Sequence, residues 1–230
     1  MIAPKADFAS IKARLHKGII VSCQPVAGGP MDVDEIVVAM ALAALDGGGV
    51  GLRIEGAKRV AMVRARTEAP LIGLIKRDLE DSDVRITPLI EDVEMLADAG
   101  ADIIAIDATG RARPCSLKGL VARAKERGCF VMADCASLAD GRAAHDLGCE
   151  IIGTTLSGYT GGVEPNDPDL NLVEAMNDEG FCVMAEGRIR FPEQAKAAIE
   201  RGAWCVTVGS AITRQEHITS WFVEAIGPKG

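Results

Sequence analysis

The sequence predicts a single domain, residues 1–230, folded as a (β/α)8 barrel of the TIM type. Three observations lead to this fold class: eight short apolar runs have the length of buried strands, stretches of helical periodicity separate them, and one phrase recurs along the chain. The length of 230 residues lies within the roughly 200 to 400 residues of such barrels and is short for two domains.

The apolar runs are the predicted strands, because they are short and rich in β-branched residues. Aromatic residues make up only 3% of the chain, so Ala, Val, Ile and Leu must form the core, as in buried parallel sheets. In chain order the runs are 19–23, 51–55, 71–76, 102–107, 130–134, 151–155, 182–186 and 205–209.

Helical periodicity marks the segments between these runs. Leu117, Leu120, Val121 and Ala124 recur three and four positions apart and would form one helix face, with Ser116 as the N-cap. Several helices are predicted to end before a glycine at the C′ position. These glycines are residues 100, 128, 148, 180 and 202.

The recurring phrase is AGADIIAIDAT at 99–109, LGCEIIGTT at 147–155 and RGAWCVTVG at 201–209. Each copy joins a helix-ending glycine to a strand, which is the repeating unit of a parallel α/β fold. Eight units in one series favour a closed barrel over a doubly wound sheet, and no G-x-G-x-x-G turn follows the first strand.

Composition excludes several classes of function. The net charge of −8 and the scattered basic residues argue against a nucleic-acid partner. No apolar run approaches the roughly 20 residues that span a membrane, and residues 1–17 lack a signal-peptide core, which predicts a cytoplasmic protein with no membrane partner. Seven cysteines without a C-x-x-C pair are expected to be buried, reduced thiols, and three distant histidines argue against a metal site.

Polar residues end the predicted strands, where a barrel places its active site. Residues two apart share a strand face, so Lys76, Asp134 and Glu186 each end an apolar row that would face the barrel interior. Strands three and seven lie on opposite sides of a barrel. The sequence therefore predicts Lys76 and Glu186 on opposite walls of one pocket, an arrangement that suits proton transfer.

Lysine is an effective base only if its pKa falls toward neutrality. Burial and the neighbouring cations Arg53 and Arg77 would lower the pKa of Lys76, whereas Glu186 would raise it. The alternative is that Lys76 and Glu186 form a structural ion pair at the rim.

A phosphate site is predicted after strands seven and eight. Gly187 and the Gly209–Ser210 pair stand where barrels commonly bind phosphate through backbone N–H groups, and a short helix would begin near 211–213. Arg188 and Arg214 would add charge-assisted hydrogen bonds. The alternative is that these glycines serve turn geometry alone.

The longest loop, 157–169, follows strand six on the same face and is rich in Gly, Pro and Asp. Its composition allows either a mobile lid or an ordinary surface loop.

Seven phrases together resemble the bacterial N-acylglucosamine-6-phosphate 2-epimerases of sialic acid and amino sugar catabolism. IGLIKRDLEDSDVRITP at 72–88 and IIGTTLSGYT at 151–160 are the most specific of them. The others are IIVSCQP at 19–25, LRIEG at 52–56, GADIIAIDAT at 100–109, AEGR at 185–188 and VTVGSAITR at 206–214. The resemblance covers essentially the whole chain.

The resemblance implies an isomerase that inverts C2 of N-acetylmannosamine 6-phosphate to give N-acetylglucosamine 6-phosphate, with no metal and no cofactor. It implies that Lys76 is the principal acid/base and that Glu186 assists reprotonation. By the same resemblance, the sugar and its N-acetyl group contact Gln24, Arg53 and Asp134, and the phosphate end comprises Gly187, Arg188, Gly209, Ser210 and Arg214.

Two other functions remain open. A strand-end lysine can also attack a carbonyl, which would make the protein a Schiff-base lyase or synthase. Outside enzymes, an inactive barrel could retain only the phosphate site and act as a sugar-phosphate-binding regulator; the presence of both Lys76 and Glu186 weighs against it. Trp221 and Phe222 would pack on the barrel or on a second subunit, so a homodimer is one expected assembly.

Overall fold

A computed structural model describes residues 7–227 and contains a closed, all-parallel barrel of eight strands. The strands are adjacent in sequence order, and β8 pairs with β1 to close the sheet. This arrangement confirms the predicted (β/α)8 barrel. The strands are β1 Ile19–Cys23, β2 Gly51–Glu55, β3 Leu71–Leu74, β4 Ile103–Asp107, β5 Phe130–Asp134, β6 Ile151–Gly153, β7 Val183–Glu186 and β8 Cys205–Val208.

Helices alternate with the strands, and most of them cover the outside of the barrel; the first helix instead packs Ile11 and Leu15 against the interior side chains. Ser116 caps the fifth helix as predicted, since its side chain accepts a hydrogen bond from the Gly119 N–H. The five predicted C′ glycines all have positive φ, between 68° and 94°. The helices are α1 Phe8–Leu15, α2 Asp34–Asp46, α3 Ala57–Arg64, α4 Ile90–Asp98, α5 Leu117–Glu126, α6 Leu138–Asp146, α7 Leu170–Asp178, α8 Pro192–Glu200, α9 Ser210–Thr213 and α10 Gln215–Ile226.

Strand parity divides the core into two layers. Side chains such as Leu52 and Ile54 pack between the sheet and the helices. Alternate side chains, including Leu74, Met132 and Met184, pack together inside the barrel. The rows that lead to Lys76, Asp134 and Glu186 therefore face the interior, as predicted.

The third strand is shorter than predicted and ends at Leu74 rather than Lys76. Beyond Leu74 the chain leaves the barrel sheet and turns back on itself. The Ile75 N–H donates to Thr87 Oγ1 at 3.3 Å, the Thr87 N–H donates to the Ile75 carbonyl at 2.7 Å, and Lys76 forms an antiparallel bridge with Ile86. Lys76 consequently lies at the base of a small hairpin above the barrel.

None of the seven cysteines forms a disulfide, and five of them are buried. Burial raises the pKa of Cys23 and of Cys149 to about 12, which keeps these thiols protonated and unreactive. In the part of the chain that the structure describes, no helix is long and apolar enough to cross a membrane.

Candidate active site

A cavity of about 600 Å³ opens at the carboxyl ends of the strands. Nine of the ten predicted site residues line it; Asp134 is the exception. Because β3 and β7 are four strands apart in a closed order of eight, Lys76 and Glu186 stand on opposite walls. The geometry thus brings together most of the residues that the sequence singled out.

Lys76 has two polar neighbours. Its Nζ donates to Oε1 of Gln24 at 2.6 Å and lies 3.5 Å from Oε2 of Glu55. Burial lowers the pKa of Lys76 below its usual value, Glu55 opposes this effect, and Arg53 and Arg214 reinforce it. Lys76 is therefore deprotonated more readily than an exposed lysine.

One expectation about the neighbours of Lys76 was wrong. Arg77 points away from the cavity and pairs with fully buried Asp92 at 2.5 Å, so Arg214, not Arg77, is the second cation that lowers the lysine pKa. Glu55 is the carboxylate in contact with Lys76, while the charge of Lys76 also lowers the pKa of Glu186, as expected for two groups that attract each other across the cavity. The alternative of a Lys76–Glu186 ion pair is not the arrangement seen.

Glu186 ends β7, and in the described part of the chain only one of its two carboxylate oxygens accepts a hydrogen bond. Its Oε1 accepts a hydrogen bond from Arg53 Nη1 at 3.0 Å, whereas Oε2 has no hydrogen-bond partner within residues 7–227. Burial raises the pKa of this carboxyl group to about 7, and Arg53 opposes the shift. Glu186 can therefore exchange a proton near neutral pH.

Arg53 connects Glu186 to a buried carboxylate. Its Nη2 donates to Oδ2 of Asp134 at 2.6 Å, and Thr155 Oγ1 donates to Oδ1 of Asp134 at 2.5 Å. Asp134 is fully buried beneath the cavity floor. Its predicted direct contact with the substrate does not fit this position; Asp134 instead holds Arg53, which holds Glu186.

Gln24 links the lysine to the other end of the site. Its side chain accepts from Lys76 and donates to Ser22 Oγ at 2.8 Å, while its backbone carbonyl accepts from Arg214 Nε at 2.8 Å. Gln24 is 6% exposed. Displacing it would therefore disturb both Lys76 and Arg214.

The predicted phosphate end is assembled by β7, β8 and α9. Gly187, with φ of 109°, occupies a conformation that residues with a side chain rarely adopt. The short helix α9 begins at Ser210, one residue earlier than predicted, and Thr213 Oγ1 fixes it by donating to the Ser22 carbonyl at 2.8 Å. Gly187, Gly209, Ser210 and Arg214 all line this end of the cavity.

Arg188 lies at the same end, but its guanidinium is engaged elsewhere. The residue has a φ of 57°, and its side chain donates to the carbonyls of Asp167, at 2.8 Å, and Ser157. Its guanidinium also lies 5.1 Å from the ring centroid of Tyr159. Nε and Nη1 of Arg188 thus clamp loop 157–169, and its contact with phosphate stays a prediction.

Loop 157–169 forms part of the cavity wall through Tyr159 and Glu164. Ser157 Oγ donates to Asp169 at 2.6 Å, which joins the two ends of the loop. The loop is thus adjacent to the site, as the lid interpretation requires.

Several cavity residues were absent from the sequence prediction. Arg190 and Trp221 line the phosphate end, and Arg111 lines the other side, where it pairs with buried Asp107 at 2.6 Å. Asp107 ends β4, where the sequence analysis expects site residues, but Arg111 follows it in a loop. Trp221 comes from α10, for which strand position offers no guide.

Comparison with known proteins finds a family model and relatives that share one description. The family model described as "Putative N-acetylmannosamine-6-phosphate epimerase" matches residues 37–228. A protein from Yersinia pseudotuberculosis serotype O:1b (strain IP 31758), named "Putative N-acetylmannosamine-6-phosphate 2-epimerase", is 55% identical over 96% of this chain and 95% of its own. A protein of the same name from Pasteurella multocida (strain Pm70) is 53% identical over 96% and 97% of the two chains.

Solved structures agree with these relatives. The N-acetylmannosamine-6-phosphate 2-epimerase from Clostridium perfringens has a TM-score of 0.92 and 35% identity, covering 97% of this chain and 99% of its own. A deoxyribose phosphate aldolase from Aeropyrum pernix has a TM-score of 0.63 at 17% identity, covering 94% of this chain and 100% of its own, and shares the fold alone.

Proposed function

Because the chain belongs to the family of N-acetylmannosamine-6-phosphate epimerases, we propose that it interconverts N-acetylmannosamine 6-phosphate and N-acetylglucosamine 6-phosphate. The reaction would serve sialic acid and amino sugar catabolism in the cytoplasm. It requires removal of the C2 proton of the open-chain sugar and its return to the opposite face.

The observation that carries this proposal is the placement of Lys76 and Glu186. They line opposite walls of one cavity, they do not pair with each other, and the pKa of each is shifted toward neutrality. Two acid/base groups on opposite sides of one carbon are what inversion by proton transfer needs. One group takes the proton as the other supplies one.

In the direction that uses neutral Lys76 as the base, the amine takes the C2 proton. The electrons of the C–H bond form a C1–C2 double bond, and the C1 carbonyl oxygen becomes an enolate. Protonated Glu186 then returns a proton to the other face of C2, and the carbonyl reforms. Arg53 carries positive charge beside Glu186, where it would stabilise the enolate.

The phosphate end would fix the substrate in register with these two groups. The amides at Ser210 and Ala211 begin α9 and have no acceptor within that helix, and Gly187 leaves the backbone open to a ligand. Arg214, anchored through Nε to the Gln24 carbonyl, would add charge.

Turnover in D2O tests the proposal. Purified protein incubated with N-acetylmannosamine 6-phosphate is expected to give N-acetylglucosamine 6-phosphate carrying solvent deuterium at C2, detected by proton NMR and mass spectrometry. Unlabelled product, or no turnover of either sugar phosphate, would refute it. Trapping of a substrate adduct on Lys76 with borohydride would instead support the Schiff-base alternative.

We also propose that the protein is a homodimer, with α10 in the interface. Phe222, Val223 and Ile226 on this helix are 70%, 59% and 86% exposed, which is unusual for large apolar side chains. Light scattering is expected to give twice the chain mass of 24.2 kDa, and Phe222→Glu with Ile226→Glu to give monomers. A monomeric parent protein would refute this assembly.

A further inference from the structure

Arg190 is a cation at the phosphate end to which the sequence patterns assign no role. It follows β7 in the turn before α8, and its backbone N–H donates to Gln194 Oε1 at 2.8 Å, which fixes the main chain. Its side chain is partly exposed and lines the same cavity end as Gly209, Ser210 and Arg214. The residue is thus held in place while its guanidinium faces the cavity.

The guanidinium of Arg190 stacks on an aromatic ring rather than pairing with an acid. It lies 5.1 Å from the ring centroid of Trp221, which also lines the cavity. Within residues 7–227, no carboxylate pairs with it and no acceptor takes a hydrogen bond from its side chain. A positive charge at a cavity wall is therefore left without a counter-ion.

Stacking engages the face of a guanidinium and leaves its edge available. The N–H donors of arginine lie in the plane of the group, in a fork that matches two phosphate oxygens. Cation–π contact with Trp221 restricts the side chain, so less conformational freedom is lost when an anion binds. This geometry is suited to a dianionic group such as a phosphate monoester.

Neighbouring charges favour the same ligand. Arg188, which the sequence placed in the phosphate site, has its guanidinium bound to two carbonyls of loop 157–169. Arg214 remains, with Nε bound to the Gln24 carbonyl. Beside Arg214, Arg190 would supply a second guanidinium whose N–H donors can bind phosphate. The sequence predicted this role for Arg188.

We propose that Arg190, held flat by Trp221, binds the substrate's phosphate and makes the site selective for phosphorylated over unphosphorylated sugars. The identity of the phosphate carrier rests on the proposed function, but anion binding does not. Trp221 belongs to α10, which has no fully buried residue. Phosphate bound to Arg190 would therefore also hold this helix against the barrel.

Binding of inorganic phosphate tests the proposal without turnover. The chain has two tryptophans, and Trp204 is buried, 7% exposed. In a Trp204→Phe background, phosphate is expected to change the fluorescence of Trp221, and Arg190→Gln to weaken binding by roughly tenfold or more. Calorimetry on the otherwise unaltered protein and on Arg190→Gln gives the same comparison if Trp204→Phe folds poorly.

Kinetics provide the second measurement. Arg190→Gln is expected to raise KM for the sugar phosphate by roughly tenfold with kcat within about threefold, because the lost contact is present in both ground and transition states. The KM of Arg190→Lys should lie between those of the unaltered protein and Arg190→Gln, since lysine keeps the charge but loses the planar arrangement of N–H donors. Arg142→Gln, which removes a surface arginine paired with Glu179, is the matched control.

Phosphate affinity and KM that do not change in Arg190→Gln would overturn the proposal and leave Arg190 as a packing partner of Trp221. Absence of epimerisation by the unaltered protein, together with Arg190-dependent phosphate binding, would refute the proposed function alone. The two failures are therefore distinguishable.

Discussion

The surroundings of Lys76 and of Glu186 differ in how firmly they hold a titratable group. Lys76 is 26% exposed and contacts a neutral amide and Glu55, which is itself 33% exposed. Glu186 is 11% exposed and shares Arg53, 3% exposed, with fully buried Asp134. Water can replace the contacts of Lys76, whereas removing Arg53 or either carboxylate from the buried network leaves hydrogen-bonding groups without a partner where water does not reach them. One group is thus separable from the fold and the other is not.

Lys76→Ala is expected to have the largest effect on activity and a small effect on stability. Loss of the acid/base group should lower kcat/KM by roughly 10²- to 10⁴-fold. The free energy of unfolding should change by less than about 1 kcal/mol, because the lysine's contacts are partly exposed. Steady-state kinetics and urea unfolding measure the two effects.

Lys58→Ala is the control, since this lysine is 79% exposed and pairs with Asp34 outside the cavity. It should leave both quantities unchanged. If Lys76→Ala lost several kcal/mol of stability along with its activity, Lys76 would be a structural residue and the comparison would fail.

Asp134→Asn is expected to lower stability as well as activity. It replaces one charge-assisted hydrogen bond of buried Arg53 by a weaker neutral one while Glu186 still pairs with Arg53, which should cost about 1.5 to 3 kcal/mol of unfolding free energy. Activity should also fall, because Arg53 would no longer position Glu186. Urea unfolding with activity measured at low temperature separates the two losses.

The control is Asp98→Asn, whose carboxylate is 69% exposed and pairs with Arg127 at the surface. Its effect should stay within about 0.5 kcal/mol. Unfolding of Asp134→Asn within 1 kcal/mol of the parent would mean that the buried network does not support the fold.

The fold was predictable because its signals are local. Each strand is an apolar run, and each C′ glycine identifies a helix end within a few residues. The early end of β3 was not predictable, since apolar Ile75 extends the run and Lys76 keeps the parity of Ile72 and Leu74. The chain leaves the barrel there because Thr87, twelve residues later, bonds to Ile75.

Depth and side-chain direction were harder to predict than position. Strand parity predicted the correct face for Asp134. It did not predict that Arg53 and Thr155 bind this carboxylate and separate it from the cavity. Arg188 stands beside Gly187 in sequence, yet its positive φ turns it toward the loop carbonyls. Both outcomes depend on residues far away in the chain, which a local pattern does not contain.

The pH dependence of the reaction provides the finest comparison of the two groups. The competent enzyme holds one proton between them, as protonated Lys76 with ionised Glu186 or as neutral Lys76 with protonated Glu186. Both forms carry the same number of protons, so both reaction directions should give the same bell-shaped profile of kcat/KM. Below a pH of about 7 Glu186 is protonated while Lys76 keeps its proton, and no base remains.

Above the pKa of Lys76, which lies below its usual value, both groups are deprotonated and no acid remains. Glu186→Gln should therefore remove the acid limb and lower the maximum rate. Glu55→Gln should move only the alkaline limb, and to lower pH, because Glu55 raises the lysine pKa. Glu174→Gln, at a surface ion pair with Arg201, should move neither limb. An acid limb that survives in Glu186→Gln would assign it to another group and leave Lys76 as the only proton carrier of the pair.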